Sequence, residues 1–171
     1  MNILELDRRL AIELDAQTPF GAIETMCEHA SAEYLVWWGC LCSWSAWRPL
    51  PSTCQDQSLA IASRWVFTGD DSILQDAAIR SEMADAGTCK WLLKAIVHSD
   101  GAVTTNGHAA SMATSDAAGR FLLGFIHQLL SIHSTVNRST VAHTFVQLAR
   151  QALSEPFPRS TISLERPVNH D

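Results

Sequence analysis

The sequence predicts an all-α fold: a compact, orthogonal or irregular bundle of about seven to eight helices around one buried tryptophan-rich helix. Three observations lead there. Apolar residues recur at three- and four-residue spacing in one stretch after another, and no run alternates with the period of a strand. Proline, glycine, serine and threonine fall between those stretches, where helices start and stop. The segment from Ser31 to Trp47 carries Trp37, Trp38, Trp44 and Trp47, four of the chain's six tryptophans, and no charge after Glu33. At about 100° per residue its large side chains point nearly all round, so it must be surrounded by other elements. It is about 14 apolar residues long, short of the ~20 that a membrane crossing needs.

The first helix is expected over residues 3–15, with Ile3, Leu6, Leu10 and Leu14 on one stripe opposite Glu5, Arg8 and Arg9. Thr18 is placed to cap a second helix with Pro19 at its first position, where the missing N–H costs nothing. It runs to about Ala30. Ser31 then caps the tryptophan-rich helix, which Arg48-Pro49-Leu50-Pro51 ends. Ser52 or Thr53 starts a fourth helix, striped by Cys54, Ser58, Ile61, Ala62 and Trp65, that stops near Gly69. A fifth follows from Asp70-Asp71 to about Ala86, with Ile73, Leu74, Ala77, Ala78, Ser81 and Ala84 forming a small-residue face. Gly87 supplies a left-handed cap, and Thr88 opens a largely buried helix over residues 88–97. Residues 98–114 have no strong period and read as a long loop, of the length that tends to carry function. A helix from Ser115 or Asp116 to His133 and another over about 139–153 complete the core, so residues 1–155 form one domain. Residues 156–171, with Pro156, Pro158 and Pro167, form an extended or disordered tail.

At 171 residues the chain can bury roughly 70% of its unfolded surface without staples. Its five cysteines are odd in number and mostly on apolar faces, which suits reduced core thiols in a cytoplasmic protein. No basic leader precedes an apolar run at the start, so neither a secretion signal nor a membrane span is expected. Twelve Lys plus Arg against eighteen Asp plus Glu give a net charge of −6, with Lys90 and Lys94 the only lysines. Nucleic acid is therefore not an expected partner. With 18% charged and 47% hydrophobic residues, part of the surface is expected to be covered by another protein, a second copy of the chain being one possible cover.

No cofactor, metal site or catalytic residue is expected from the motifs. Cys40 and Cys42 sit about 160° apart on a helix and cannot share one zinc ion. There is no G-x-S-x-G, no phosphate loop and no H-E-x-x-H. His98, Ser99 and Asp100 are the residue types of a triad, but neighbours in a loop cannot orient one another. His98, Asp100 and His108 leave open an enzyme or metal-binding use of that loop. The candidate partner-binding residues are Trp47 and Arg48 at the exit of the tryptophan helix, His98, Ser99, Asp100, Thr104 and Thr105 in the loop, and Phe157 between two prolines. Trp47 is expected to be the exposed tryptophan.

Four motifs in order resemble a known pattern: Val36-Trp37-Trp38-Gly39-Cys40-Leu41-Cys42, Trp65-Val66 before a Gly-Asp turn, Asp85-Ala86-Gly87-Thr88, and Ser99-Asp100-Gly101-Ala102-Val103. Over about residues 30–155 the chain is similar to an uncharacterised bacterial helical family often encoded near type VI secretion genes, including those of PAAR-type spike-tip proteins. It departs from that family's usual Trp-Ser-Gly-Gly-Ser loop, having His98-Ser99-Asp100-Gly101-Ala102. The resemblance implies a cytoplasmic, non-enzymatic adaptor or co-chaperone that helps an effector or spike-tip protein reach the secretion apparatus. An apolar patch framed by the 98–114 loop and a tryptophan would cover a hydrophobic segment of that partner until handover. The acidic charge leaves a second expectation, an immunity protein that occludes a basic toxin.

Overall fold

The computed structural model describes residues 1–47, 51–99 and 111–158, with the backbone alone described for 111–115. Its elements are α1 (Ile3–Asp15), α2 (Pro19–His29), α3 (Ala32–Ala46), α4 (Thr53–Thr68), α5 (Ser72–Glu82), a 3-10 turn (Ala84–Ala86), α6 (Cys89–Val97), α7 (Ser111–Ser131) and α8 (Thr135–Ser154). The described residues form an all-helical bundle without strands, and none of their helices is long and apolar enough to cross a membrane.

Local chemistry sets most of the boundaries. The Asn2 side chain accepts from the Glu5 N–H at 2.8 Å and caps α1. Ser52 and Gln55 form a reciprocal capping box at the start of α4, and Gly69 ends that helix with φ 64°. Ser31 holds the extended N-cap backbone before α3, but its hydroxyl makes no capping bond. The Thr18 hydroxyl likewise accepts no N–H of α2; it donates back to the Glu13 carbonyl at 2.9 Å. Two helices begin earlier than their apolar stripes indicate. Helix α7 starts at Ser111 rather than at Ser115 or Asp116, so residues 111–114 of the expected 98–114 loop are helical, and α8 starts at Thr135 rather than at about Ser139. In α8 the first turn is solvated, with Val136 85% exposed, so it shows no stripe to read.

Helix α3 lies against α4, α6, α7 and α8. Trp38 is fully buried, and its Nε1–H donates to the Phe145 carbonyl of α8 at 2.7 Å. Two glycines allow the closest approaches. Gly39 faces the tips of Leu92 and Leu122, and Gly119 of α7 lies against the backbone of Cys27 in α2, where a Cβ would sit 2.1 Å from the carbonyl oxygen. Arg80 is a charge the small-residue face of α5 conceals. It is 7% exposed, and it donates to Asp85 Oδ1 at 2.6 Å, the Cys54 carbonyl at 3.2 Å and Ser58 Oγ at 3.3 Å. This ties α5 to α4 and to the 3-10 turn, and it holds the Asp85 carboxyl below the usual carboxylate range. At the other end Arg150 of α8 reaches Asp7 of α1 at 2.7 Å.

Cys27, Cys40, Cys42 and Cys89 are buried, while Cys54 is half-buried and donates to Asp85 at 3.1 Å. Burial raises all four core thiols, Cys89 to about 12. The folded state therefore holds protons that the unfolded chain releases above about pH 8.5, so stability falls as pH rises through the alkaline range. Titration of the native protein with a thiol reagent at pH 8 is expected to modify Cys54 alone, with all five reacting in denaturant. Rapid modification of two or more thiols in the native state would contradict this burial.

Candidate partner-binding surface

The outward edge of α3 departs from the all-round burial its composition predicts. Leu35, Val36, Trp38, Gly39, Cys40, Cys42 and Ser43 are buried, but Tyr34, Trp37 and Leu41 are half-buried and Trp44 is 40% exposed. Trp37, Leu41 and Trp44 follow i, i+4, i+7 spacing, so they form one continuous stripe, with Tyr34 a turn earlier. The rings pack edge to face: Trp37 to Trp44 with centroids 5.8 Å apart, and Trp37 to Phe67 of α4 at 5.6 Å. Phe67 is itself 37% exposed. Three large rings, two of them open to solvent, thus meet on the face shared by α3 and the end of α4.

Trp47 is not the open tryptophan. Its ring is half-buried and packs edge to face on Phe125 of α7 at 6.4 Å. The exit of α3 turns inward because α7 passes beneath it, a non-local neighbour that no pattern within residues 31–51 reports. His98, at the end of α6, stacks on Phe121 at 4.9 Å, and Trp91 lies 6.0 Å from the same ring. Phe121 and Phe125 are one turn apart on α7. The structure therefore brings Trp47 and His98 to neighbouring positions on that helix. His98 keeps an exposed edge, and Ser99 turns its hydroxyl to the Ile96 carbonyl. Arg48, Asp100, Thr104 and Thr105 lie outside the described residues, as does most of the 98–114 segment. Phe157 sits elsewhere, against Tyr34 with ring centroids 5.1 Å apart, near the start of α3.

An apolar groove of about 610 Å³ opens beside Tyr34. Its walls come from Met1, Ile3, Leu4 and Leu6 of the amino-terminal segment, His29 to Ser31 between α2 and α3, and Leu153 of α8. A second, smaller pocket of about 320 Å³ between α2 and α7 is edged by Glu24, Glu28 and Asp116, with Arg120 paired to Asp116 and Cys27 in its wall. Desolvation, followed by the Glu28 and Glu24 charges, raises the Cys27 thiol, so it stays protonated and is a poor nucleophile. Among the described residues no three His, Cys, Asp or Glu side chains gather closely enough to hold a metal ion. The most connected polar group, Arg80 with Asp85, Ser58 and Cys54, spends its hydrogen bonds joining elements.

What this arrangement offers is contact area from rigid aromatic rings. A model of a family of unknown function, DUF6931, matches residues 10–153. The chain belongs to this DUF6931 family. The match spans α1 from Leu10 through α8 to Leu153, so the aromatic stripe and both α7 contacts lie within the family's domain. An uncharacterised helical family is what the motifs lead one to expect, and a link to secretion is not part of this match. No curated protein and no solved structure matches the chain.

The α3 stripe is half legible in the sequence. Trp37 and Trp44 share a face at i, i+7, which marks them as partners. Which face of an all-apolar helix remains open depends on where α4, α7 and α8 lie.

Proposed function

We propose that this protein is a non-enzymatic binding module, an adaptor or co-chaperone that holds an effector or spike-tip protein of a type VI secretion apparatus for loading. The observation that carries the binding role is the cluster in which Trp44 and Phe67, both partly exposed, pack on the half-buried Trp37. Tryptophan and phenylalanine left open beside one another on a rigid helix face are costly in water, and they are the side chains that anchor protein interfaces. Trp44 and Phe67 are already more than half covered, so a partner that buries the remainder gains about 0.5–1 kcal/mol from each ring. The class of partner is supplied by the motif resemblance, with the net charge of −6 favouring a partner surface that is basic around an apolar centre.

Affinity purification of the tagged chain from its native cell, with mass spectrometry of what is retained, tests this reading. Stoichiometric recovery of a spike-tip protein or a secreted effector is the expected outcome. Recovery of a toxin whose activity the chain abolishes would replace the adaptor by an immunity protein. Substrate turnover by the purified chain alone would contradict both. Trp44→Ser with Phe67→Ser is expected to lower recovery at least tenfold; because both rings pack on Trp37, the variant also loses about 2–3 kcal/mol of stability, and circular dichroism is expected to show that it stays folded.

A further inference from the structure

The groove beside Tyr34 is bounded on one side by the last turn of α8 and on the other by exposed apolar residues of the amino-terminal segment. Leu4 is 84% exposed, Met1 49% and Ile3 43%, all on the groove's lip. Such a concave apolar surface, of a volume typical of ligand pockets, is suited to being filled. Leu153 belongs to the groove wall, and four residues later Phe157 packs on Tyr34, which belongs to it as well. The chain therefore runs along the rim of the groove as the described residues end at Pro158.

We propose that the chain's own carboxy-terminal segment, residues 159–171, docks in this groove. That segment follows two residues after Phe157, whose ring packs on Tyr34 of the groove wall, and can span at most about 43 Å at ~3.3 Å per residue. It carries Ile162, Leu164 and Val168, side chains of the kind the walls accept, among polar and charged neighbours that suit an open mouth. Tethering makes the event intramolecular, so modest contact area suffices to fill the site. Phe157 on Tyr34 is the first contact of this series. Tyr34 also begins the α3 stripe, so the docked segment would border the surface on which Trp44 is exposed without covering it.

The test is a cross-link in the full-length chain. With Cys54→Ser removing the half-buried thiol, Leu4→Cys and Leu164→Cys are introduced together, the protein is oxidised and the product is mapped by mass spectrometry. An intrachain disulfide joining positions 4 and 164 is the expected result. A parallel measurement uses the chain ended at Pro158. Fluorescence of the dye ANS is expected to rise several-fold over the full-length protein, and a synthetic 159–171 peptide is expected to reverse the rise. Absence of the intrachain bond, or its replacement by bonds between two molecules, would overturn the proposal, the latter placing a second copy in the groove. Equal dye fluorescence of the two chains at equal melting temperature would overturn it too.

Discussion

Gly119→Ala is expected to cost about 3 kcal/mol or more, and to leave much of the protein unfolded at 37 °C if total stability lies in the ordinary range. The reason is geometric. A Cβ at this position would lie 2.1 Å from the Cys27 carbonyl oxygen and 3.2 Å from the carbonyl carbon, both backbone atoms of α2. A flexible side chain could rotate away, but a helix backbone cannot, so α2 and α7 would have to separate and open the core between them. Gly39→Ala is a milder change, because its Cβ would meet only the tips of Leu92 and Leu122, at 2.7 Å and 2.9 Å. Gly124→Ala, on the same helix as Gly119, finds its nearest neighbours at 4.0 Å on the Trp91 ring. It should stabilise α7 by about 0.5–1 kcal/mol through helix propensity alone. Denaturant unfolding of the three variants checks the order. Native-like stability of Gly119→Ala would show that α2 and α7 do not approach as described.

The second large effect concerns Trp38. Truncation to alanine removes a fully buried indole from the junction of α3 and α8, and is expected to cost about 3–5 kcal/mol, the range for large aromatic deletions in cores. Trp38→Phe keeps most of the ring area but forfeits the 2.7 Å bond to the Phe145 carbonyl. Loss of that bond adds about 1 kcal/mol to the cost of the smaller ring. Trp44→Ala, further along the same helix, should cost less, about 1–2 kcal/mol, because its ring is 40% exposed and gives up mainly its contact with Trp37. A comparable loss for Trp38→Ala and Trp44→Ala would mean that α3 presents the other face to the core.

These contrasts also locate what the sequence can convey. Most of the helices are announced by stripes or caps, and α4 by a capping box and a glycine that the chain itself supplies. Local chemistry of this kind is written within a few residues. The need for glycine at 119 is not, because it arises from α2, far earlier in the chain. Arg80 is hidden for a similar reason: it occupies a face of small residues, and only the fold brings Ser58, Cys54 and Asp85 around it. The candidate surface divides along the same line. Trp47 and His98 do come together, since both end helices that meet over α7, yet the edge-to-face contact of Trp47 with Phe125 and the stacking of His98 on Phe121 commit part of each ring to that helix. Trp44 escapes a reading of the sequence because a helix apolar on all sides gives no sign of which side stays open.

The central claim, that Trp37, Trp44 and Phe67 form a partner-binding face, is tested most directly by affinity. The partner recovered from the native cell is titrated calorimetrically with the wild-type chain and with the Trp44→Ser, Phe67→Ser variant, both first shown to be fully folded at the titration temperature. A dissociation constant at least tenfold weaker for the variant is predicted, about 1.4 kcal/mol or more of binding energy. An unchanged constant would place the interface elsewhere and contradict the claim.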